Sequence, residues 1–219
     1  MMILGIYGTG GLGREVLELA KQINNVQHRW NQIFFIDDFR DEKNFQNCQV
    51  TSFQELKQIN NHDDIEIIVA VGEPKNRKML AETLQTEGYK FATLIHPNVH
   101  IPASTEIGGG TVICAQAIIS CDVVIGKNVY IQPNALVGHN TVIADNTIIS
   151  GLVHVAGSCH IGHESYIGMN ACVKEGLKIG NEVIIGIASV VVREIPDTVI
   201  ALGNPARPMK TNEDKKVFK

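Results

Sequence analysis

Every sixth residue from Ile101 to Val191 is isoleucine or valine, without a break over sixteen positions. A helix would repeat its apolar residues every 3.6 positions and an ordinary strand every second position, so neither accounts for a strict period of six. Such a period is typical of hexapeptide repeats, three of which make one triangular coil of a parallel β-helix. We therefore predict a prism of about five coils, stacked about 4.8 Å apart.

The other hexad positions fit this prism. Small residues often lie two positions before the aliphatic one, as Thr111 and Ala117 do, and predict a second inward position near a corner. Glycine often follows the aliphatic residue, and there we expect tight turns. These glycines are Gly108, Gly126, Gly162, Gly168, Gly180 and Gly186.

The first 95 residues follow a different pattern, in which strands and helices alternate. Strands are predicted over 3–8, 33–38, 65–72 and 91–97, and helices over 11–23, 52–59 and 76–87. The order predicts a small parallel α/β domain, about half of a Rossmann-like dinucleotide-binding fold. We expect an α/β domain over 1–95, a β-helix over 96–200 and a tail over 201–219.

Composition narrows the functional class. The net charge is −4, the pI is near 6.1, and no basic stripe indicates binding to nucleic acid or to an anionic membrane surface. No apolar run is long enough to cross a bilayer. The five cysteines form an odd set without a C-x-x-C pair, which favours reduced thiols and a cytoplasmic location.

The stretch GTGGLG, residues 8–13, follows the first strand and matches the G-x-G-x-x-G dinucleotide fingerprint. Gly10, Gly11 and Leu12 would lie at a helix N-terminus, where free N–H groups favour a phosphate. Asp37 and Asp38 close the second strand and Gly72 the third, so all six residues are candidates for substrate binding. The domain is too short for both halves of a dinucleotide, and a single nucleotide diphosphate fits it better.

Several motifs together resemble one family: the glycine turn, the IDD strand end, Val71-Gly72 followed by Arg77, the IHP junction and the terminal GNPAR. The chain is similar to the hexapeptide sugar O- and N-acyltransferases, typified by sialic acid O-acetyltransferase and the bacillosamine-pathway N-acetyltransferase. The resemblance implies a left-handed β-helix, a homotrimer, acetyl-CoA bound between neighbouring prisms, and a nucleotide sugar bound by the N-terminal domain.

His139 is the candidate general base, because histidine titrates near neutrality and Val137, His139 and Ile143 match the family context V-x-H-[DE]-x-x-I. The alternative is an exposed polar residue on a turn. Asn140 replaces the usual carboxylate and can orient the ring without supplying charge. Asp122 lies 18 residues earlier, beneath Asn140, and we hypothesise that it supplies the carboxylate across the coils.

The cofactor contacts follow from the resemblance. Ile148 occupies the place where the family often has a second histidine near the thioester. Gly157 stacks one coil above His139, where the missing Cβ would let the thioester arm pass. Met169 and Ile187 match family positions that contact acetyl-CoA, although ordinary coil packing explains them as well. Arg207 and Lys210 could meet CoA phosphates or simply be solvated.

His154 and His160 should point outward, and His163 should lie on a different edge from His139. No metal site is expected, because no pair of these histidines has short ligand spacing with a carboxylate as the third ligand. The family resemblance, the His139 motif and the glycine turn together favour an acetyl-CoA-dependent N-acetyltransferase that acts on a nucleotide-linked amino sugar. O-acetylation of a sugar such as a sialic acid is the runner-up. A noncatalytic sugar-nucleotide scaffold and a nicotinamide oxidoreductase are the remaining alternatives.

Overall fold

The computed structural model describes residues 2–58 and 62–218. The first part of the chain forms a six-stranded sheet in the order β3-β4-β2-β1-β5-β6, parallel except for the β3–β4 pair. Its strands are β1 (Met2–Tyr7), β2 (Trp30–Ile36), β3 (Asn44–Phe45), β4 (Cys48–Thr51), β5 (Ile65–Val69) and β6 (Lys90–Phe91). The helices are α1 (Gly11–Gln27), α2 (Phe53–Leu56) and α3 (Pro74–Thr86), and a short 3₁₀ turn spans His62–Asp64.

The predicted elements are present, with shifted ends and one division. The segment predicted as a single strand over 91–97 is two short strands, because β6 pairs with β5 whereas β7 (Leu94–Ile95) pairs with β9 (Val112–Ile113) of the prism. The prediction of one strand was therefore wrong, since an apolar run does not reveal which sheet it joins. Helix α2 ends at Leu56, and position 59 of the predicted helix lies outside the described residues.

The prism is confirmed, and each short strand from Leu94–Ile95 to Cys172–Val173 pairs in parallel with the strand 18 residues later. Face 1 contains β10 (Ile118–Ile119), β13 (Leu136–Val137), β16 (His154–Val155), β19 (Cys172–Val173) and β22 (Val190–Val191). Face 2 contains β8 (Glu106–Ile107), β11 (Val124–Ile125), β14 (Val142–Ile143), β17 (His160–Ile161) and β20 (Lys178–Ile179). Face 3 contains β7, β9 (Val112–Ile113), β12 (Tyr130–Ile131), β15 (Ile148–Ile149), β18 (Tyr166–Ile167), β21 (Ile184–Ile185), β23 (Val199–Leu202) and β24 (Arg207–Thr211).

The sixfold column fills the prism interior. From Ile113 to Val191 every member is at most 5% exposed, and the small residues two positions earlier, such as Thr111 and Ala117, are also buried. Ile101 and Ile107 are only partly buried against the first coil. Burial of one aliphatic side chain per hexad stabilises the prism by roughly 1.5–3 kcal/mol for each residue.

The turns of the prism use a different hexad position from the one that we predicted. Left-handed backbone falls three residues after the inward residue, at Asp122 and Asn140 for example, and not at the glycines that follow the inward residue. Those glycines permit close packing of successive coils: a methyl group built on Gly108 would lie 2.5 Å from the carbonyl carbon of Gly126. The expectation that these glycines provide tight turns was therefore wrong.

The N-terminal part packs on face 3. The buried side of α1, which includes Leu17 and Ala20, joins one cluster with Val112, Tyr130 and Ile148 of the prism. This contact fixes the α/β sheet against the first coils. Within the described ranges no helix is long and apolar enough to cross a membrane.

Arg77 of α3 connects the two parts. It is 1% exposed, and it donates to the carbonyl oxygens of Val71 (3.1 Å), Asn128 (3.0 Å) and Asn146 (2.7 Å). Burial lowers the pKa of its guanidinium to about 10, so the group still carries its charge near neutral pH. The arginine of the Val71-Gly72 motif therefore holds the end of β5 against the prism.

Candidate active site

His139 projects from the edge between faces 1 and 2, as predicted. Its Nδ1 lies 2.9 Å from Asn140 Oδ1, which can only accept, so the ring donates from Nδ1 and keeps a lone pair on Nε2. Asn140 has φ 57°, a left-handed conformation that asparagine tolerates well. Asn140 therefore has both a backbone role and the ring-orienting role expected of it.

Gly157 lies one coil above His139, and its missing side chain makes room for the imidazole. A methyl group built on Gly157 would lie 2.7 Å from both Cε1 and Nε2 of His139. The ring therefore occupies the space that the sequence argument assigned to the thioester arm. Gly157 supports the candidate base directly, and a cofactor contact there remains a prediction.

Asp122 lies in the coil beneath Asn140, and the Asn140 amide donates to the carbonyl of Cys121 (3.2 Å). Among the described residues, no hydrogen bond joins the Asp122 carboxylate to His139, whose Nδ1 is taken by Asn140. Asp122 can thus act on the ring only through space, so its proposed contribution is electrostatic.

Met169 and Ile187 lie on the edge between faces 3 and 1, one coil apart, and are 49% and 66% exposed. They are on a different edge from His139, so a single prism does not bring the three together. Arg207 and Lys210 are exposed on β24 at the end of face 3. Ile148 is 3% exposed beneath the N-terminal part, so the position lacking the second histidine is a packing position in this chain.

The glycine turn contains two kinds of glycine. Gly8 and Gly13 are required by packing, because a methyl group built on Gly8 would lie 2.9 Å from Ala70 O and one built on Gly13 would overlap Gly8 O. Methyl groups built on Gly10 and Gly11 would meet no atom of the described residues within 4 Å. Gly10 caps α1 and Gly11 is its first residue, with Leu12 partly buried behind them, so this helix N-terminus can receive an anion.

The two aspartates at the end of β2 accept hydrogen bonds from other residues of the chain. Asp38 accepts from Tyr7 Oη (2.5 Å) and from the Phe53 amide (2.7 Å). Asp37 accepts from the Thr9 amide and hydroxyl. Burial alone would raise the pKa of Asp37, but the hydrogen bonds from Thr9 and the Phe39 amide outweigh it and lower that pKa. Asp37 thus stays ionised and fixes the glycine turn.

Three neighbours of these residues were not predicted from the sequence. Phe39 is 99% exposed and lines a cavity of about 370 Å³ with Thr9, Asp37 and Arg40. Arg40 donates from Nε to Thr9 Oγ1 (2.9 Å), so a cation lies beside the turn. Phe218 lies against Gly72, with Cε2 3.4 Å from a methyl group built there. The exposed aromatic after IDD was visible in the sequence, whereas the contact of Phe218 was not.

Two family descriptions match separate parts of the chain: the PglD N-terminal domain over residues 4–84 and the bacterial transferase hexapeptide (six repeats) over 122–157. The acetyltransferase domain of PglB from Neisseria gonorrhoeae FA1090 is 31% identical, with a TM-score of 0.89, covering 95% of this chain and 100% of that one. This chain belongs to the hexapeptide-repeat sugar acetyltransferases. The family's prism is left-handed, and the prediction of fold and family is confirmed.

Other members of the family support the same assignment. WeeI from Acinetobacter baumannii AYE is 28% identical, with a TM-score of 0.82, over 95% of this chain and 100% of that one. PerB from Caulobacter crescentus, solved with CoA and GDP-perosamine, is 25% identical, with a TM-score of 0.86, over 94% and 97%. UDP-N-acetylbacillosamine N-acetyltransferase of Bacillus subtilis (strain 168) is 34% identical over 119 residues, about half of each chain.

A second histidine of this sugar acetyltransferase, His163, pairs with a neighbouring side chain on the edge between faces 2 and 3. His163 Nδ1 is 3.0 Å from Glu164 Oε1, which also pairs with Lys78 of α3 (2.8 Å). The pair borders a cleft of about 480 Å³ between α3 and the edge joining faces 2 and 3. His163 therefore has the hexad position of His139 but belongs to the contact with α3. Within the described ranges no group of three or more potential metal ligands occurs.

Proposed function

We propose that this chain transfers the acetyl group of acetyl-CoA to the amine of a nucleotide-linked amino sugar. The observation that carries the proposal is His139, whose Nδ1 is held by Asn140 while Nε2 keeps its lone pair at an exposed edge. The relatives supply the substrate classes, since PglB has been solved with acetyl coenzyme A and PerB with CoA and GDP-perosamine.

The reaction follows from this geometry. The sugar amine attacks the thioester carbonyl carbon, and His139 Nε2 removes a proton from the nitrogen as the C–N bond forms. The C–S bond then breaks, and the imidazolium returns the proton to the CoA sulfur. The products are an amide and free CoA, and His139 is regenerated. Asn140 keeps the proton on Nδ1 during the cycle, so Nε2 always faces the substrates.

The cofactor site requires more than one chain. His139 with Gly157, and Met169 with Ile187, lie on two different edges of the prism, so neighbouring prisms of a homotrimer would bring them together. Face 1, between these edges, presents an outward column that is apolar except for His154 and suits such contacts, with Ile118 59% exposed. The remaining members of the column are Leu136, His154, Cys172 and Val190.

The acceptor would lie at the carboxyl ends of β1, β2 and β5, where ligands of open parallel sheets bind. Gly10 and Gly11 would bind the diphosphate, with Leu12 behind them. Phe39 would stack on the heterocyclic base of the nucleotide, beside the ionised Asp37. Asp38 would hold the loop through Tyr7. The five free cysteines fit a reducing cytoplasm, where we place the reaction.

The test is incubation with acetyl-CoA and a panel of nucleotide-linked amino sugars and their hydroxyl analogues, with measurement of thiol release and product mass. We expect release with an amino sugar and an increase of one acetyl group in product mass. His139→Ala should lower kcat by about 10²–10⁴-fold. His163→Ala is the matched control, because it removes a histidine from the same hexad position on another edge. The proposal fails if no acceptor gives release above hydrolysis or if His139→Ala is fully active.

A further inference from the structure

Residues 212–218 run back from the prism to the N-terminal part, and we call this segment the strap. Asn212 starts it, 6% exposed, with its amide donating to Thr198 O (2.7 Å) and its Nδ2 to Glu182 O (3.0 Å). Lys215 pairs with the Glu182 carboxylate at 2.7 Å. The strap is therefore anchored to the last coils of the prism.

The far end of the strap is held by Glu73, the residue before α3. The Val217 amide donates to both Glu73 oxygens (3.0 and 3.1 Å), and the Phe218 amide donates to Oε2 (3.0 Å). Glu73 is 9% exposed, so these hydrogen bonds to an ionised acceptor are partly shielded from water. This fixes the Phe218 backbone at the carboxyl end of β5.

The Phe218 ring completes the contact. It packs edge-on against Tyr166 of the prism, with centroids 5.6 Å apart, and reaches over Gly72. The ring is nevertheless 47% exposed, so part of its apolar surface faces solvent. Gly72 follows β5, which pairs with β1, and Gly8 at the end of β1 lies against Ala70. Because β1 and β5 are neighbouring parallel strands, the ring lies at the same edge of the sheet as the glycine turn, and it also lines a cleft of about 420 Å³ with Ile184 and Ile200.

We propose that Phe218 forms the apolar wall of the acceptor site and contacts the sugar ring. The inference rests on the proposed function, which places the nucleotide diphosphate at the glycine turn. Small-molecule sites combine a few polar groups with apolar and aromatic walls, and the described part of the turn supplies mainly backbone N–H groups. The strap adds the aromatic wall on the β5 side, and Glu73 is its positioning residue.

The test compares steady-state constants for the best acceptor of the panel and for acetyl-CoA. Phe218→Ala should raise the acceptor KM about 10-fold and leave the acetyl-CoA KM within about 2-fold, whereas Phe218→Leu should retain most of the affinity. Lys216→Ala is the matched control, because it alters the strap without touching Glu73 or Gly72. Glu73→Ala should reproduce Phe218→Ala, and the two changes combined should not add.

Titration calorimetry with a UDP-linked amino sugar separates this inference from the proposed function. If the wild-type chain lacks acetyltransferase activity, the proposed function fails, and the wall is judged by binding alone. A dissociation constant about 10-fold weaker in Phe218→Ala supports the wall. An unchanged constant overturns it. A tighter one also overturns it, because the strap would then cover the site instead of lining it.

Discussion

Replacing Gly157 with alanine should disable the candidate base without unfolding the protein. A methyl group at this position lies 2.7 Å from Cε1 and Nε2 of His139. Ordinary contacts between non-bonded heavy atoms are about 3.5–4.0 Å, so the ring must move by about 1 Å. The 2.9 Å hydrogen bond to Asn140 would then be strained or lost. Misplacement of about 1 Å can reduce a rate by about 10²-fold, equivalent to about 2.7 kcal/mol of transition-state stabilisation.

The assay is kcat/KM for acetyl transfer together with the free energy of unfolding in urea. His139 is exposed, so the ring can swing away and the stability should change by less than about 1 kcal/mol. Gly109→Ala is the matched control: Gly109 has the same hexad position, and its added methyl group would be 3.9 Å from Phe91 Cβ. If Gly157→Ala is as active as Gly109→Ala, packing of His139 on Gly157 does not position the base.

Four further substitutions test other parts of the structure. Arg77→Met leaves three carbonyl oxygens unpaired and should lower the free energy of unfolding in urea by about 3 kcal/mol; a loss under about 0.5 kcal/mol would contradict its role. Asn140→Asp adds negative charge beside His139 Nδ1, so it should move the acid limb of the pH–rate profile to higher pH. Asp122→Asn removes negative charge and should move this limb to lower pH. A profile that is unchanged by either substitution would refute an electrostatic effect of that residue on His139. Because the pKa of Asp37 is lowered in the folded chain, its contribution is present above about pH 4 and is lost as pH falls through the folded value. Thr9→Val should therefore destabilise the chain at pH 6 and less so at pH 3, measured by urea unfolding; an equal difference at both pH values would contradict this.

The sequence was most informative where the structure repeats. Ile113 and the later members of the sixfold column are buried as predicted, because a side chain that repeats every six residues has the same orientation in every hexad. The glycine turn and the IDD strand end were also found, since backbone approach at a strand end requires particular residues such as Gly13. These features follow from local geometry, which a single sequence records.

Features that depend on contacts between distant segments could not be predicted. The division between β6 and β7 depends on which sheet offers a free edge, and the apolar segment satisfies either one. The contact of Phe218 with Gly72 joins residues 146 positions apart in the chain and has no local sequence signal. The role of Gly157 could not be predicted without the position of the His139 ring, because the sequence places the two residues together but does not give the direction of the side chain.

The arithmetic of the repeat explains why similar histidines have different roles. Residues separated by a multiple of six share a hexad position, but only those separated by a multiple of eighteen share an edge. His139 and Gly157 are eighteen apart and touch, whereas His163 is twenty-four residues after His139 and belongs to the edge beneath α3. Met169 is thirty residues after His139 and falls on the third edge. Chemistry that needs both His139 and Met169 therefore requires two prisms side by side, so oligomer formation completes the proposed active site.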